Sequence, residues 1–119
     1  MRTAELLDSY AILLYADGPD AVVAELRHVK RTDSGGRVET PVGHFAAARV
    51  PVEPEAAAHW RVDLNLRSDV ARSLVDSRLP AAIADWLLIE TACTKPLLLN
   101  VHEGRNTIFV KRGTIFDDD

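Results

Sequence analysis

The chain has 119 residues, of which 47% are hydrophobic, 27% charged and 6% aromatic. This length is typical of one domain, and the hydrophobic fraction excludes an intrinsically disordered chain. No apolar stretch approaches the roughly 20 residues that a membrane-spanning helix needs, so no membrane association is expected. The first residues do not fit a secretory signal, and the single cysteine, Cys93, favours a reducing, cytoplasmic location.

The formal net charge is −4, and residues 117–119 are three consecutive aspartates. We therefore expect one nearly neutral domain over residues 1–116, followed by an acidic tail over 117–119. The basic residues are scattered along the chain, whereas a nucleic-acid-binding surface needs a concentrated basic face. Nucleic acid is thus not expected as a partner. The abundance of alanine and arginine is typical of a GC-rich bacterial genome.

The first predicted element is an amphipathic helix over residues 3–16, with Thr3 as its N-cap and a turn after residue 16. A buried strand over residues 10–15 is the alternative, because periodicity alone does not separate the two. The apolar positions at helical spacing are Leu6, Leu7, Tyr10, Leu13 and Leu14.

Residues 19–31 fit either a helix or a strand. In the helical interpretation Pro19 lies in the first turn, and four apolar residues form one stripe. In the strand interpretation residues 33–36 become a hairpin loop that leads into residues 37–40. The helix is favoured, because the end signals agree with it. The stripe consists of Val22, Val23, Leu26 and Val29.

Extended structure is predicted over residues 38–52, where Pro41 indicates an edge strand or a bulge. Strict alternation of apolar and polar residues from Trp60 to Arg67 predicts a half-buried strand with one solvent-exposed face. A short helix is predicted after Ser68, which would cap it.

A second helix is predicted from Pro80 to Cys93, and its nearly uniform apolar character places it in the core or in a subunit interface. Residues 97–101 predict a buried strand, followed by a hairpin. With Glu103 and Gly104 as its loop residues, the hairpin would pair Leu99 with Ile108 and Leu97 with Val110. The predicted fold class is α+β: a single domain with an antiparallel sheet of about four strands packed against two to four helices.

The best candidates for catalysis are His102 and Glu103, since an imidazole and a carboxylate at an exposed turn can act as general acid and base. The sequence offers no matching nucleophile, and a polar turn also needs no function beyond solubility. The four histidines lie far apart in sequence and share no ligand spacing, so neither a metal nor another cofactor is expected.

By elimination, the sequence favours a non-enzymatic protein-binding or regulatory module, such as an inhibitor, an immunity protein or an accessory factor. One alternative is a small-ligand-binding domain or small enzyme that uses a His/Glu acid–base pair. The other is a homo-oligomeric structural subunit, such as a homodimer. The predicted partner-binding residues form an apolar patch with acidic neighbours: Phe109, Ile115, Phe116, Asp117 and Asp118.

Overall fold

The computed structural model describes residues 2–51, 58–67, 69, 76–94, 96–103 and 106–111, with side chains described up to residue 102. Within these residues seven strands form one sheet whose spatial order follows the chain, and one helix lies between the fifth and sixth strands. The elements are β1 (Arg2–Leu6), β2 (Tyr10–Asp17), β3 (Ala21–Arg31), β4 (Arg37–Val50), β5 (His59–Leu66), α1 (Leu79–Glu90), β6 (Leu97–Glu103) and β7 (Asn106–Lys111).

The sheet is mixed. Five of its neighbouring pairs are antiparallel, whereas β5 and β6 run parallel, with Trp60 opposite Leu97 and Leu66 opposite Glu103. A parallel pair cannot be joined by a tight turn, because the chain must return to the same end of the sheet. The segment that contains α1 makes this return.

One face of the sheet, which we call the inner face, forms the hydrophobic core. Strand alternation directs every second residue of β2 to β6 to this face, and α1 contributes its buried side to the same cluster. The described part of the chain buries no polar or charged residue in this core. The largest fully buried side chains are Phe45, Ile12, Leu26, Leu64, Leu79, Ile83, Leu87, Leu97 and Leu99.

The helix α1 begins with Pro80 in its first turn, where a missing N–H costs nothing. It ends at Thr91, whose N–H and hydroxyl both donate to the carbonyl oxygen of Leu87. Arg2 of β1 donates to the carbonyl oxygen of Glu90 at 2.8 Å, which ties the edge of the sheet to the end of the helix. No helix in the described part of the chain has the length and apolar character required to cross a membrane.

The predicted helix over residues 3–16 is wrong, and these residues form the β1–β2 hairpin. The two strands are joined by a turn at residues 7–9, in which Leu7 and Asp8 have φ angles of 52° and 62°. Most of the apolar residues of the predicted helix therefore lie on one face of a strand pair and not on one face of a helix. Leu6, Tyr10 and Leu14 are buried in the core by strand alternation, and for Tyr10 and Leu14 this agrees with the alternative interpretation of residues 10–15 as a buried strand.

The favoured helix over residues 19–31 is also wrong, because this segment is the long strand β3. Val22, Ala24 and Leu26 are fully buried on the inner face, whereas Val23 between them is exposed. The predicted loop is present: Gly35 has a φ of 83°, and the N–H of Gly36 donates to the hydroxyl of Thr32. The strand interpretation of this segment was thus the correct one.

The fold class is corrected accordingly. The described residues contain seven strands and one helix, instead of about four antiparallel strands with two to four helices. Pro41 does lie beside a bulge, although β4 is an interior strand. The final hairpin is present with another register, since Leu99 is opposite Lys111 and Glu103 is opposite Asn106. The helix predicted after Ser68 falls outside the described residues.

Candidate functional site

The second face of the sheet, which we call the open face, is not covered by any described element. The strand register aligns one row of its residues across five strands, and polar side chains dominate that row. Their side chains are half-buried or exposed, in contrast to those of the inner face. The row runs Leu13, Glu25, His44, Asn65 and His102.

A carboxylate with three neighbours lies beside this row. Oδ1 of Asp63 is 3.1 Å from Nε2 of His102 and accepts a hydrogen bond of 3.2 Å from Nδ2 of Asn100. Its other oxygen lies 3.1 Å from Nε of Arg61. The four residues, Arg61, Asp63, Asn100 and His102, form what we call the Asp63 cluster. Parallel pairing of β5 and β6 produces it, because Asp63 lies opposite Asn100 in that register.

The neighbours of Asp63 determine its ionisation. Partial burial alone raises the pKa of Asp63, but the hydrogen bond with His102, the charge of Arg61 and the hydrogen bond from Asn100 outweigh it. The pKa of Asp63 is therefore lowered from its usual value, and the group is a carboxylate at neutral pH. A fixed carboxylate of this kind orients the imidazole of His102 on an exposed surface.

We expect the free energy of unfolding to fall less steeply at acidic pH in the Asp63→Asn variant than in the wild type. A carboxyl with a lowered folded-state pKa stabilises the fold above its unfolded-state pKa, and this contribution disappears as the pH falls through the folded-state value. The wild type should thus lose free energy of unfolding as the pH falls below the usual pKa of an aspartate, and the variant should lose less. Urea unfolding at a series of pH values measures this.

The control for that experiment is Asp33→Asn, which changes an exposed aspartate in the β3–β4 loop, far from the Asp63 cluster. It removes one carboxylate without touching the Asp63 cluster, so a shallower loss of stability at acidic pH that only Asp63→Asn shows is assigned to that cluster. An Asp63→Asn variant that loses stability at acidic pH as steeply as the wild type would contradict the lowered pKa.

A second polar network starts at the bulge of β2. The hydroxyl of Tyr15 donates to Oε2 of Glu25 at 2.7 Å, and Nε of Arg27 donates to Oε1 of the same carboxylate at 2.6 Å. These bonds lower the pKa of Glu25, the bond from Arg27 more than that from Tyr15. The pKa of Tyr15 is raised because its hydroxyl donates this hydrogen bond to Glu25.

The network continues along the open face towards the edge strand β1. Nη1 of Arg27 lies 3.7 Å from Glu39, and Nε of Arg37 donates to the other oxygen of Glu39 at 3.2 Å. Nη1 of Arg37 then lies 3.5 Å from Glu5 on β1. Acidic and basic side chains therefore alternate from β1 to the bulge of β2. Each exposed pair contributes little to stability, but together they hold the long side chains in defined positions.

An apolar strip lies between Glu25 and the Asp63 cluster, and Tyr15 belongs both to this strip and to the network. Val23 lies opposite Ala46, and Ala46 lies opposite Asp63, so the strip crosses β3 and β4 between charged neighbours. Tyr15 and Val23 are among the large hydrophobic residues that the structure leaves exposed, at 53% and 40%. We define the apolar strip as Tyr15, Val23, Ala46 and Ala48.

The two predicted catalytic residues both lie on β6. The side chain of His102 contacts Asp63, with Nε2 3.1 Å from Oδ1. Glu103 is the last residue of β6, and its side chain is outside the described part. The described residues contain no group of three or more His, Cys, Asp or Glu side chains that could hold a metal ion.

The predicted partner-binding residues lie near the end of the chain. Phe109 belongs to β7, and its side chain is not described. Ile115, Phe116, Asp117 and Asp118 fall outside the described residues. That patch consequently stays a prediction.

Sequence reasoning missed the Asp63 cluster and the network around Glu25. The alternation of β5 did predict that Arg61, Asp63 and Asn65 share a solvent-exposed face. The pairing of β5 with β6, which adds Asn100 and His102, leaves no signal in either strand alone. The chain matches no protein-family model, no curated protein and no solved structure.

Proposed function

We propose that the protein is a non-enzymatic protein-binding module, of the regulatory or accessory type, that works in the reducing cytoplasm. The observation that carries this proposal is the apolar strip on the open face, flanked on both sides by positioned charged side chains. Protein interfaces combine an apolar centre with a polar rim in the same way. The lone cysteine suits a reducing compartment, in which disulfides are rare.

The side-chain sizes define what the partner must present. Ala46 and Ala48 are small, whereas Tyr15 and Val23 on one side and Arg61 on the other are larger, so we expect a shallow depression over the two alanines. A protruding aliphatic side chain of a partner would fit over the two alanines. Removal of exposed apolar area from water there would supply the driving force.

The rim determines the charge of the partner. Glu25 lies on one side of the strip, and Arg61 and Asp63 lie on the other, so neither sign dominates. A polyanion would gain little from such a balanced rim. A folded protein with an aliphatic centre and flanking charges of both signs complements it, and the fixed positions of Glu25 and Asp63 lower the entropic cost of binding.

A site-specific photo-crosslinker tests this proposal. Placed at Val23, it should attach to a different protein in cells, whereas the same crosslinker at Ile89 should not. Ile89 is the matched control, because it is the most exposed large hydrophobic residue described, at 77%, and it lies on α1. A cross-link from Val23 to a second copy of the chain would instead assign the face to self-association and overturn the proposal.

The captured protein is then purified and its affinity for the wild type and for variants is measured by calorimetry. Ala48→Arg fills the depression and should weaken binding by about tenfold or more. Ile89→Arg adds the same side chain on α1 and should leave the affinity unchanged. Circular dichroism verifies that both variants fold. Equal affinities of the two variants would contradict the proposed surface.

A further inference from the structure

A cavity lies on the open face over the edge strand β1 and its neighbour β2, and long side chains of β3 and β4 reach it. Its volume is about 380 Å³, and four of its eight lining residues are charged. This volume is within the range of small-molecule sites. Leu13 and Ala11 supply an apolar surface, and Thr3, Glu5, Arg27, Arg37 and Glu39 supply the polar wall.

The charges of this wall balance. Two guanidinium groups, of Arg27 and Arg37, stand against two carboxylates, of Glu5 and Glu39. Each guanidinium of the wall already pairs with carboxylates, so a ligand with a single charge would add an unbalanced charge, whereas a zwitterion keeps the cavity neutral. The electrostatics of the cavity thus favour a small molecule that carries one carboxylate and one ammonium group.

Hydrogen-bonding groups remain available for each end of such a molecule. Arg27 and Arg37 use Nε and Nη1 in their ion pairs, and within the described residues their Nη2 atoms have no partner. A guanidinium has five N–H donors, so each arginine keeps donors for a carboxylate. The hydroxyl of Thr3 has no partner among the described residues either. Glu5, with 63% of its side chain exposed, can accept from an ammonium group.

We propose that this cavity binds a free aliphatic α-amino acid in its zwitterionic form. Arg27 and Arg37 bind the carboxylate, Glu5 and Glu39 bind the ammonium group, and the aliphatic side chain packs on Leu13 and Ala11. This site is separate from the apolar strip, so it does not depend on the proposed protein-binding function.

L-leucine and two matched analogues test the proposal. The analogue 4-methylpentanoate lacks the ammonium group, and 3-methylbutylamine lacks the carboxylate. In titrations followed by backbone amide NMR, leucine should shift the signals of Thr3, Glu5 and Leu13 saturably, with a dissociation constant of about 1 mM. Each analogue should bind about tenfold or more weakly. Absence of saturable shifts with leucine, or equal binding of an analogue, would overturn the proposal.

Two variants locate the ligand. Arg37→Gln and Glu39→Gln each remove one charge from the wall and should each weaken leucine binding by about fivefold or more. Lys30→Gln is the control, since Lys30 is an exposed cation of β3 that does not line the cavity. Amide spectra without leucine show whether each variant folds. If both cavity variants bind leucine as tightly as the wild type, the ligand does not occupy this cavity and the proposal is contradicted.

Discussion

The Gly43→Ala variant is expected to lower the free energy of unfolding by about 3 kcal/mol, at the upper end of overpacking effects. Gly43 lies in β4 opposite Leu66 of β5, directly after the bulge between β3 and β4. A Cβ atom at this position would overlap the carbonyl oxygen of Asn65 and approach Cα of Leu66 to 3.0 Å. These are backbone atoms, so no side-chain rotation relieves the clash and the two strands must separate.

Gly18→Ala is the matched control for this substitution. A Cβ atom on Gly18 would have the carbonyl oxygen of Ala21 as its nearest neighbour at 3.6 Å, an ordinary contact. Urea unfolding should place this variant within about 0.5 kcal/mol of the wild type. Equal stability of the two variants would contradict the close approach of β4 and β5 at Gly43.

Much of the sheet could be predicted wherever alternation was strict. The strand over Trp60–Leu66 followed from strict alternation, the buried strand after residue 96 from a short apolar run, and α1 from its apolar length and from Pro80. In these elements the hydrophobic pattern, read with its length and its flanking prolines, favours the structure that forms. The sequence was therefore sufficient for the strand–helix–strand unit from β5 to β6.

The first hairpin could not be predicted, because its turn lacks the usual residues. Positive φ angles are normally marked by glycine or asparagine, but here they belong to Leu7 and Asp8. Without that signal, the apolar residues on both sides of the turn add up to an apparent helical stripe. Tertiary pairing with β3, where the N–H of Val29 donates to the carbonyl oxygen of Ser9 at 2.7 Å, supports the turn instead.

The error in β3 has another cause. Val22, Val23, Leu26 and Val29 fit a helical stripe, but three of the four are β-branched, which favours a strand. Neighbouring strands decide between the interpretations, since Leu26 is buried beside Ile12 of β2 and Gly43 of β4. Local spacing does not contain this information.

The candidate site was predictable only in its parts. The solvent-exposed alternation of β5 placed Arg61 and Asp63 together, and His102 was selected for its chemistry. The contact of Asp63 with His102 depends on the parallel pairing of β5 and β6. The sequence of a chain of this length is compatible with other strand orders, in which these two strands would not be neighbours. In this fold His102 contacts Asp63, which lies 39 positions earlier in the chain.

The Phe45→Ala variant is expected to have the largest effect on stability, a loss of about 3–5 kcal/mol in the free energy of unfolding. Phe45 is fully buried on β4, and its ring meets that of Trp86 on α1 edge-to-face, with centroids 6.1 Å apart. Truncation leaves a cavity between sheet and helix and removes this aromatic pair. Because Trp60 also fluoresces, urea unfolding is followed in a Trp60→Phe background, in which Trp86 emission reports both the stability and the packing of α1.

The control is Val38→Ala, which also shortens an apolar side chain of β4, but at a position where half of the residue is exposed. Its effect should stay within about 0.5 kcal/mol. Because domains of this size have only about 5–15 kcal/mol of stability, Phe45→Ala should also shift Trp86 emission towards that of a solvated indole as α1 loosens. A loss below about 1 kcal/mol with unchanged emission would contradict the docking of α1 on the inner face through Phe45.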